Sequence, residues 1–351
     1  REARRRNGRS GIRMTSARRQ PPWWYGPWAF QVVLTALFLG LLVWRADLSG
    51  AFGPLREVDW RWLAAGFAVF PLTRIFDVVR WRLYLVKVGR VPLRELLGAF
   101  LVGNLVNNVL PMRVGDVVKI QIVANRHGLS RAGLAASRAV ESAIDGATLL
   151  VVAWIALALT GGALVHSALL WTILVAVSAG LLAAFAASRL LPTRLPDWRA
   201  LDVVPVRLRQ VVDDALPNLS AGLETMRSGW NLISAVGLNL LSWGVQAAMF
   251  YALGEAFGFD VSLGTYLGVT IMANLVTIVP ITFENIGPYE VLILEVLALQ
   301  GVGRDSGVAY ALASHAMTNA WVITLGFSAM WLMRLRASEV FAVRKPVTTE
   351  A

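Results

Sequence analysis

Residues 107–119, NNVLPMRVGDVVK, interrupt an apolar stretch of the chain and largely decide its fold. This stretch, the first broken region (96–123), contains proline, glycine and charged side chains near its middle. A second broken region (264–300) is interrupted in the same way. Backbone groups freed at such breaks are costly in lipid unless they are buried in protein or line a wet cavity. We interpret both regions as re-entrant hairpins of two half-helices; two kinked full spans each are the alternative.

The composition is typical of a membrane protein. Of the 351 residues, 56% are hydrophobic and only 16% are charged, whereas soluble domains average about 45–50% and about 25%. The absence of cysteine excludes disulfide scaffolds, thiolate metal sites and cysteine nucleophiles. The formal net charge of +11 is interpreted as a signal for topology and anionic headgroups rather than for nucleic acid.

The long apolar segments predict an all-α polytopic membrane protein. A helix needs about 20 apolar residues to cross the hydrocarbon core. Six segments meet this length: 23–44, 62–86, 137–160, 164–188, 230–256 and 309–333. They lie in one integral-membrane domain, 23–335, which includes a cytoplasmic amphipathic linker at 189–229. The basic segment 1–22 and the segment 336–351 are predicted to be cytoplasmic tails, the first of them disordered.

The distribution of basic residues orients the chain. The linker 189–229 carries six Lys and Arg residues, whereas segments 161–167 and 257–263 carry none. Under the positive-inside rule, both termini are cytoplasmic only if the first broken region enters from inside and the second from outside. We therefore expect an integral protein of a bacterial-type cytoplasmic membrane, with two opposed hairpins.

The two broken regions form a weak inverted repeat. Each has an Asn-Leu-Val triplet followed by a proline, a glycine and an acidic residue: 104–106, Pro111, Gly115 and Asp116 in the first, and 274–276, Pro280, Gly287 and Glu290 in the second. Paired interrupted segments in the two halves of a membrane protein point to a transport site. We expect the tips to meet around a polar cavity near the midplane.

Charged residues within the predicted spans support such a cavity. Arg74, Asp77 and Arg80 recur every three residues on roughly one helix face. A charge at the bilayer centre costs about 3 kcal/mol, so these side chains must pair, meet water or lie near an interface. A structural ion pair near the inner surface is the alternative to a binding role.

Glu141 and Asp145, spaced i and i+4, place two carboxylates on one face of a helix. Arg138 is the one cation close to them in the sequence. We interpret the two carboxylates as functional groups that need a cation from another helix or from a ligand.

The candidate substrate-binding residues are the polar and charged residues of the breaks and spans. They are Arg74, Asp77, Arg80, Asn107, Asn108, Arg113, Asp116, Lys119, Glu141, Asp145, Glu284, Asn285, Glu290 and His315. An alternative role for the asparagines is to hydrogen-bond the backbone groups that the break leaves without helical partners. An alternative for His315 is a buried pair with Asn319. Three scattered histidines predict no metal site, and no catalytic residue or cofactor is expected.

The run 107–119 resembles the signature of the lysylphosphatidylglycerol synthase transmembrane-region family, a flippase-like domain. That family typically shows Leu-Pro, a basic residue, glycine, an acid and then a basic residue three positions further on. The resemblance covers roughly residues 30–335. It implies a membrane-embedded lipid translocation module without the soluble aminoacyl transferase domain, and therefore no synthase activity.

Two positions depart from the family pattern. A Glu-Arg pair followed by Asp is represented here by Glu141, Ser142 and Asp145, and a closing Arg-Glu by Tyr289 and Glu290. If the two missing arginines hold an anionic headgroup in the family, the cavity of this protein is expected to carry less positive charge.

The leading functional hypothesis is a flippase or transporter for a polar-headed, anionic lipid, either a phospholipid or a polyprenyl-phosphate-linked lipid. Movement would occur by alternating access at a charged midplane cavity. No GxxxxGK[ST] loop is present, so transport would use a gradient or a partner. The alternatives are a non-transporting lipid-binding scaffold, possibly the partner of a separate lipid-modifying enzyme, and a membrane enzyme acting on a lipid headgroup.

The inverted topology can be tested with single cysteines, because the chain has no native cysteine. We expect Val114→Cys and Ile286→Cys to react with a membrane-impermeant thiol reagent from opposite sides of the membrane. Labelling of both positions from the same side would contradict the opposed hairpins.

Overall fold

The computed structural model describes residues 30–37, 40, 53–110, 113–159, 175, 179, 228–277, 282–336 and 340. Within these ranges the chain is helical, with turns and no strand. The helices with defined bounds are α1 (Trp60–Val69), α2 (Pro71–Tyr84), α3 (Leu93–Val109), α4 (Val114–His127), α5 (Arg131–Leu159), α6 (Gly229–Ala256), α7 (Leu263–Leu275), α8 (Pro288–Ala298) and α9 (Arg304–Leu332). A short 3-10 turn, Phe283–Asn285, precedes α8. The all-α prediction is confirmed for these residues.

Among the described residues, three helical stretches are long and apolar enough to cross a membrane. They are the α1–α2 run of 25 residues (Trp60–Tyr84), α5 with 29 residues and α6 with 28 residues. They coincide with the predicted spans 62–86, 137–160 and 230–256. Helix α9, also 29 residues long, coincides with the predicted span 309–333.

Other expected segments fall largely or wholly outside the described residues. The predicted span 23–44 is described only at 30–37 and 40, which are helical, and the predicted span 164–188 only at two positions. The two predicted tails and the linker 189–229 also lie outside, apart from a few residues at their edges.

Both broken regions contain a helix, a break and a second helix. In the first, Leu110 leaves the helix with φ −111° and ψ 143°, because a residue before proline disfavours the α conformation. Arg113 is left-handed with φ 54°, and α4 begins directly after it. In the second, Gly287 has φ 94° and Pro288 begins α8, a position where proline loses no helical hydrogen bond. The sides from which these regions enter the membrane stay predictions.

Each broken region packs into an apolar core of its own. One core is formed by buried side chains of the helices from α2 through α5, among them Trp81, Tyr84 and Phe100. The other core is formed mainly by the helices from α6 through α9 and includes Phe250, Tyr266 and several residues of α8. Further packing of α3 against α9, and of α6 against α1 and α2, holds the two cores together.

A close approach of two glycines fixes how α3 packs against α4. A Cβ atom on Gly103 would lie 2.9 Å from the carbonyl oxygen of Gly115 and 3.0 Å from Cβ of Lys119. A Cβ atom on Gly115 would overlap the carbonyl oxygen of Gly103 and the side chain of Asn107. Helices α3 and α4 therefore lie backbone against backbone, which places Lys119 beside α3.

Substitution of Gly115 tests this packing. We expect Gly115→Ala to destabilise the protein by about 1–3 kcal/mol, the usual cost of overpacking, seen as a lower thermal midpoint in detergent. Gly237→Ala in α6 is the matched control, because a Cβ there meets nothing within 4 Å and alanine favours a helix over glycine. Equal midpoints for the two variants would contradict the close approach.

Candidate functional site

A central cavity of about 500 Å³ is lined by residues of the helices from α2 through α7. Five basic and four acidic side chains line it: Arg74, Arg80, Arg113, Lys119, Arg138, Asp77, Asp116, Glu141 and Asp145. Their formal charges sum to +1. The cavity also contains polar side chains from both broken regions, Asn104 from the first and Asn274 and Thr277 from the second.

Arg80 pairs with three carboxylates of the central cavity. Its side chain, from α2, is only 4% exposed. Its Nη1 lies 2.7 Å from Oδ1 of Asp145, and its Nη2 lies 3.6 Å from Oε1 of Glu141 and 3.8 Å from Oδ1 of Asp77. The cation that the sequence analysis required for Glu141 and Asp145 is therefore supplied by another helix.

A buried amide holds Arg80 in place. Nη1 of Arg80 donates to Oδ1 of Asn239, and Nδ2 of Asn239 donates to Oγ1 of Thr148 at 2.8 Å. Asn239 is completely buried in α6. This amide therefore connects α2, α5 and α6 at the level of the buried charges.

The sequence analysis did not identify the polar face of α6 that contains Asn239. Asn239, Ser242 and Gln246 are spaced i, i+3 and i+7 in an otherwise apolar helix, so they share one face. The hydroxyl of Ser242 donates to Oδ1 of Asp77 at 2.9 Å, and Ser242 and Gln246 line the cavity. The polar periodicity within an apolar span was the signal that could have identified them.

Lys119 lies deep in the wall of the cavity and is 3% exposed. Its Nζ is 3.3 Å from Oδ1 of Asp116 and 3.6 Å from Oε2 of Glu141. The same nitrogen lies 5.2 Å from the ring centroids of both Trp81 and Phe100. Attraction to the two aromatic faces and to two carboxylates offsets the desolvation of this ammonium group.

Arg138 was left out of the candidate residues, although it lines the cavity. Its Nε lies 3.4 Å from Oδ2 of Asp116, and its Nη1 lies 3.4 Å from Oε2 of Glu141. Nη1 also donates to the hydroxyl of Ser142 at 2.9 Å. The family pattern has arginine at position 142. Here the guanidinium of Arg138, one helical turn earlier, contacts Ser142 at that position. The expected reduction of positive charge relative to the family stays a prediction.

Arg113 connects the two breaks. Its Nη1 donates to the carbonyl oxygen of Thr277 at 2.6 Å, and its Nε lies 3.5 Å from Oδ2 of Asp116. The carbonyl that accepts this bond follows the end of α7 and belongs to the second broken region. The breaks of the two regions therefore meet at the cavity wall.

Three arginines in the cavity keep unused donors. The Nε groups of Arg74, Arg80 and Arg138 are buried and donate no hydrogen bond within the part of the chain that the structure describes. A buried donor without a partner costs about 1–3 kcal/mol. Oxygen atoms of a bound anion would satisfy such donors.

Six of the predicted site residues do not line the central cavity. They are Asn107, Asn108, Glu284, Asn285, Glu290 and His315. Asn107 is next to Gly115 at the α3–α4 contact, and Asn108 donates to the side chain of Asn319 at 2.9 Å. Both asparagines belong to helix packing, and Asn319 pairs with Asn108 rather than with His315.

Glu290 and His315 form a second polar cluster together with Tyr289 and Ser314. Nδ1 of His315 lies 2.6 Å from Oε1 of Glu290, while Oε2 of Glu290 accepts a hydrogen bond from the backbone N–H of Gly287 at 2.6 Å. The ring of Tyr289 stacks on His315 with centroids 4.2 Å apart, and its hydroxyl contacts that of Ser314. Because Glu290 is the third residue of α8, its carboxylate turns back to cap the helix and not toward the cavity.

Comparison with known proteins identifies the family. Residues 28–326 match the family model described as "Lysylphosphatidylglycerol synthase TM region". The chain belongs to this family. It is therefore a membrane protein with a flippase-like domain, as the motifs around 107–119 predicted.

One similar curated protein is the "Glycosyltransferase AglD" of Haloferax volcanii. The two sequences are 27% identical over 334 residues, which cover 85% of this chain and 53% of that protein. The chain thus spans about half the length of this relative.

Arg80 offers a direct test of the ion-pair cluster. We expect Arg80→Gln to lower the free energy of unfolding by about 3–5 kcal/mol, because three carboxylates would lose their shared buried cation. Thermal unfolding in detergent measures the effect. Arg82→Gln on the same helix is the control, since Arg82 is exposed; a similar loss in both variants would contradict the central role of Arg80.

Proposed function

We propose that this protein moves a polar-headed, anionic lipid across the bilayer and binds the headgroup in the central cavity. The observation that carries the proposal is the set of nine charged side chains around a cavity where the ends of two broken helices meet. Membership of a flippase-like family supports the same conclusion. Charges buried within membrane segments are costly, and a binding site for a charged headgroup explains why they are present.

The charge balance of the cavity favours an anion. The formal sum of +1 and the unused Nε donors of Arg74, Arg80 and Arg138 leave capacity for negatively charged oxygens. The volume of about 500 Å³ falls within the usual range for sites of small ligands, about 300–1,000 Å³. A phosphate with a small polar group attached fits these constraints.

The cavity residues divide into two roles by exposure. Arg113 and Arg138, with side chains 35% and 19% exposed, are placed to contact the headgroup directly. Arg80 and Lys119, which are almost fully buried, hold the carboxylates. The phosphate would compete with Asp116 for the more exposed arginines, since both of these contact that carboxylate.

The contact between the hairpin ends suggests how access could alternate. Arg113 binds both Asp116 of its own hairpin and the carbonyl of Thr277 on the other. A headgroup that draws Arg113 into the cavity would weaken the link to Thr277 and let the hairpins separate on one side. The hairpins would then act as gates in an integral protein of the cytoplasmic membrane, with both termini cytoplasmic.

The candidate substrates share a phosphate. A phospholipid is suggested by the family, and a polyprenyl-phosphate-linked sugar by similarity to a protein named as a glycosyltransferase. We propose that the chain moves such a lipid and leaves its chemical modification to a separate enzyme.

A non-transporting lipid-binding scaffold is the second candidate. It is favoured by the extent to which the carboxylates are already paired, since Glu141 alone lies within 3.6 Å of three cations. A scaffold would bind the lipid without moving it between leaflets.

Translocation in proteoliposomes separates these functions. We offer labelled phosphatidylglycerol, an aminoacylated analogue and a polyprenyl phosphate, and expect one of them to cross. Glu141→Gln should abolish the movement, because it removes the carboxylate that balances Arg80, Lys119 and Arg138. Glu295→Gln on α8, which is exposed and outside the cavity, should retain it.

Stability of the variants must be checked in parallel. If Glu141→Gln does not fold, Arg138→Gln provides the same test at a less buried position, with Arg131→Gln as its control on the exposed start of α5. Lipid binding without movement by the folded wild-type protein would favour the scaffold. Unchanged transport in both cavity variants would contradict the proposed site.

A further inference from the structure

The second polar cluster has no role in the proposed headgroup site, and its chemistry is unusual for a protein interior. Glu290 and His315 are 2% and 7% exposed, and they lie on α8 and near the middle of α9. Charged groups are rarely buried at such depth unless they are paired. Their partner in each case is the other member of the pair, at 2.6 Å.

We infer that Glu290 and His315 form a proton-binding site that couples lipid movement to the transmembrane proton gradient. The inference rests on the proposed function and adds an energy source to it. Histidine is the side chain whose charge changes most readily near neutral pH. With one shared proton the pair is neutral overall, and loss of that proton leaves a net charge of −1.

Burial makes the proton count of this pair depend on conformation. In a low-dielectric interior a net charge costs far more than a neutral pair, so the closed cluster retains its proton. Release requires that water reach the pair. Proton binding and release are thereby tied to opening of the structure around α8 and α9.

The surroundings of the pair contain further titratable groups. Glu284, from the turn Phe283–Asn285, interacts electrostatically with His315, and Tyr289 of α8 stacks on the imidazole. The helices α3 and α6 contribute uncharged groups to α9 here, the amide of Asn108 and the carbonyl of Phe250.

The pair is connected to the turn that leads into α8. Glu290 accepts from the N–H of Gly287, and this turn contains three residues with positive φ: Glu284 at 52°, Asn285 at 59° and Gly287 at 94°. Left-handed non-glycine residues persist only where their surroundings hold them. A change in the protonation of Glu290 alters the hydrogen bond that stabilises this conformation.

The turn is also connected to the central cavity through α3. It packs against α3, and α3 leads into the break that carries Arg113. Arg113 in turn binds the carbonyl of Thr277. Protonation at α8 and headgroup binding in the cavity therefore act on the same pair of hairpins.

The test is lipid accumulation under a pH gradient. Full-length protein is reconstituted with labelled phosphatidylglycerol or polyprenyl phosphate, and the membrane potential is held at zero with potassium and an ionophore. One proton per lipid predicts an unequal distribution of the lipid between leaflets of about tenfold per pH unit. Glu290→Gln and His315→Gln should still exchange lipid without a gradient but should end with an even distribution when the gradient is applied.

The chain supplies a matched control in a second Glu–His pair. Nε2 of His127 lies 3.0 Å from Oε2 of Glu95, at the other end of the first hairpin, and both side chains are partly exposed. His127→Gln should accumulate lipid as the wild type does. Equal loss in this variant, or retained accumulation in His315→Gln, overturns the inference.

The outcomes separate the inference from the proposed function. Wild-type exchange without accumulation under the pH gradient, or accumulation driven by a sodium gradient alone, overturns proton coupling and leaves the lipid transporter standing. No exchange of either lipid overturns the proposed function for them, and coupling with it. The proton site itself is then decided by magnetic resonance of labelled histidine, assigned with His315→Gln: the His315 signal must change with pH, and a signal that stays constant at every pH at which the protein is folded overturns the site.

Discussion

The arrangement of the helices around the cavity depends on the shared guanidinium of Arg80. One cation from α2 contacts carboxylates of α2 and α5, while the amide of Asn239 fixes it from α6. A buried ion pair gains its stability from geometry and additional hydrogen bonds rather than from charge alone. Three helices must therefore keep their positions for any of these charges to remain inside the membrane domain.

The two broken regions are alike in pattern and unlike in construction. In the first, Gly103 and Gly115 bring two helices into backbone contact, so this hairpin is rigid close to its break. In the second, the segment before α8 uses three residues with positive φ and a carboxylate cap. The conformation of the second region therefore depends on contacts that its surroundings supply.

Much of the fold follows from local signals in the sequence. Pro111 and Gly287 mark where helices stop and start, and apolar length identifies α5 and α6, because these features act on neighbouring residues. The pairing of charges was less predictable. Glu141 and Asp145 were recognised as needing a cation, but their partner Arg80 is 61 or more residues away, and only packing brings it close. Glu290 was assigned to the cavity, whereas helix capping turns it elsewhere.

The hydrogen bond from Arg113 to the carbonyl of Thr277 has a consequence for how this family can be compared. A backbone carbonyl is present whatever the side chain at 277, so the contact constrains the identity of only one of the two residues. Substitution at 277 leaves the bond intact, and no compensating change at 113 is needed. Covariation between the two positions is therefore not expected. A search for co-varying pairs would pass over this contact between the two broken regions.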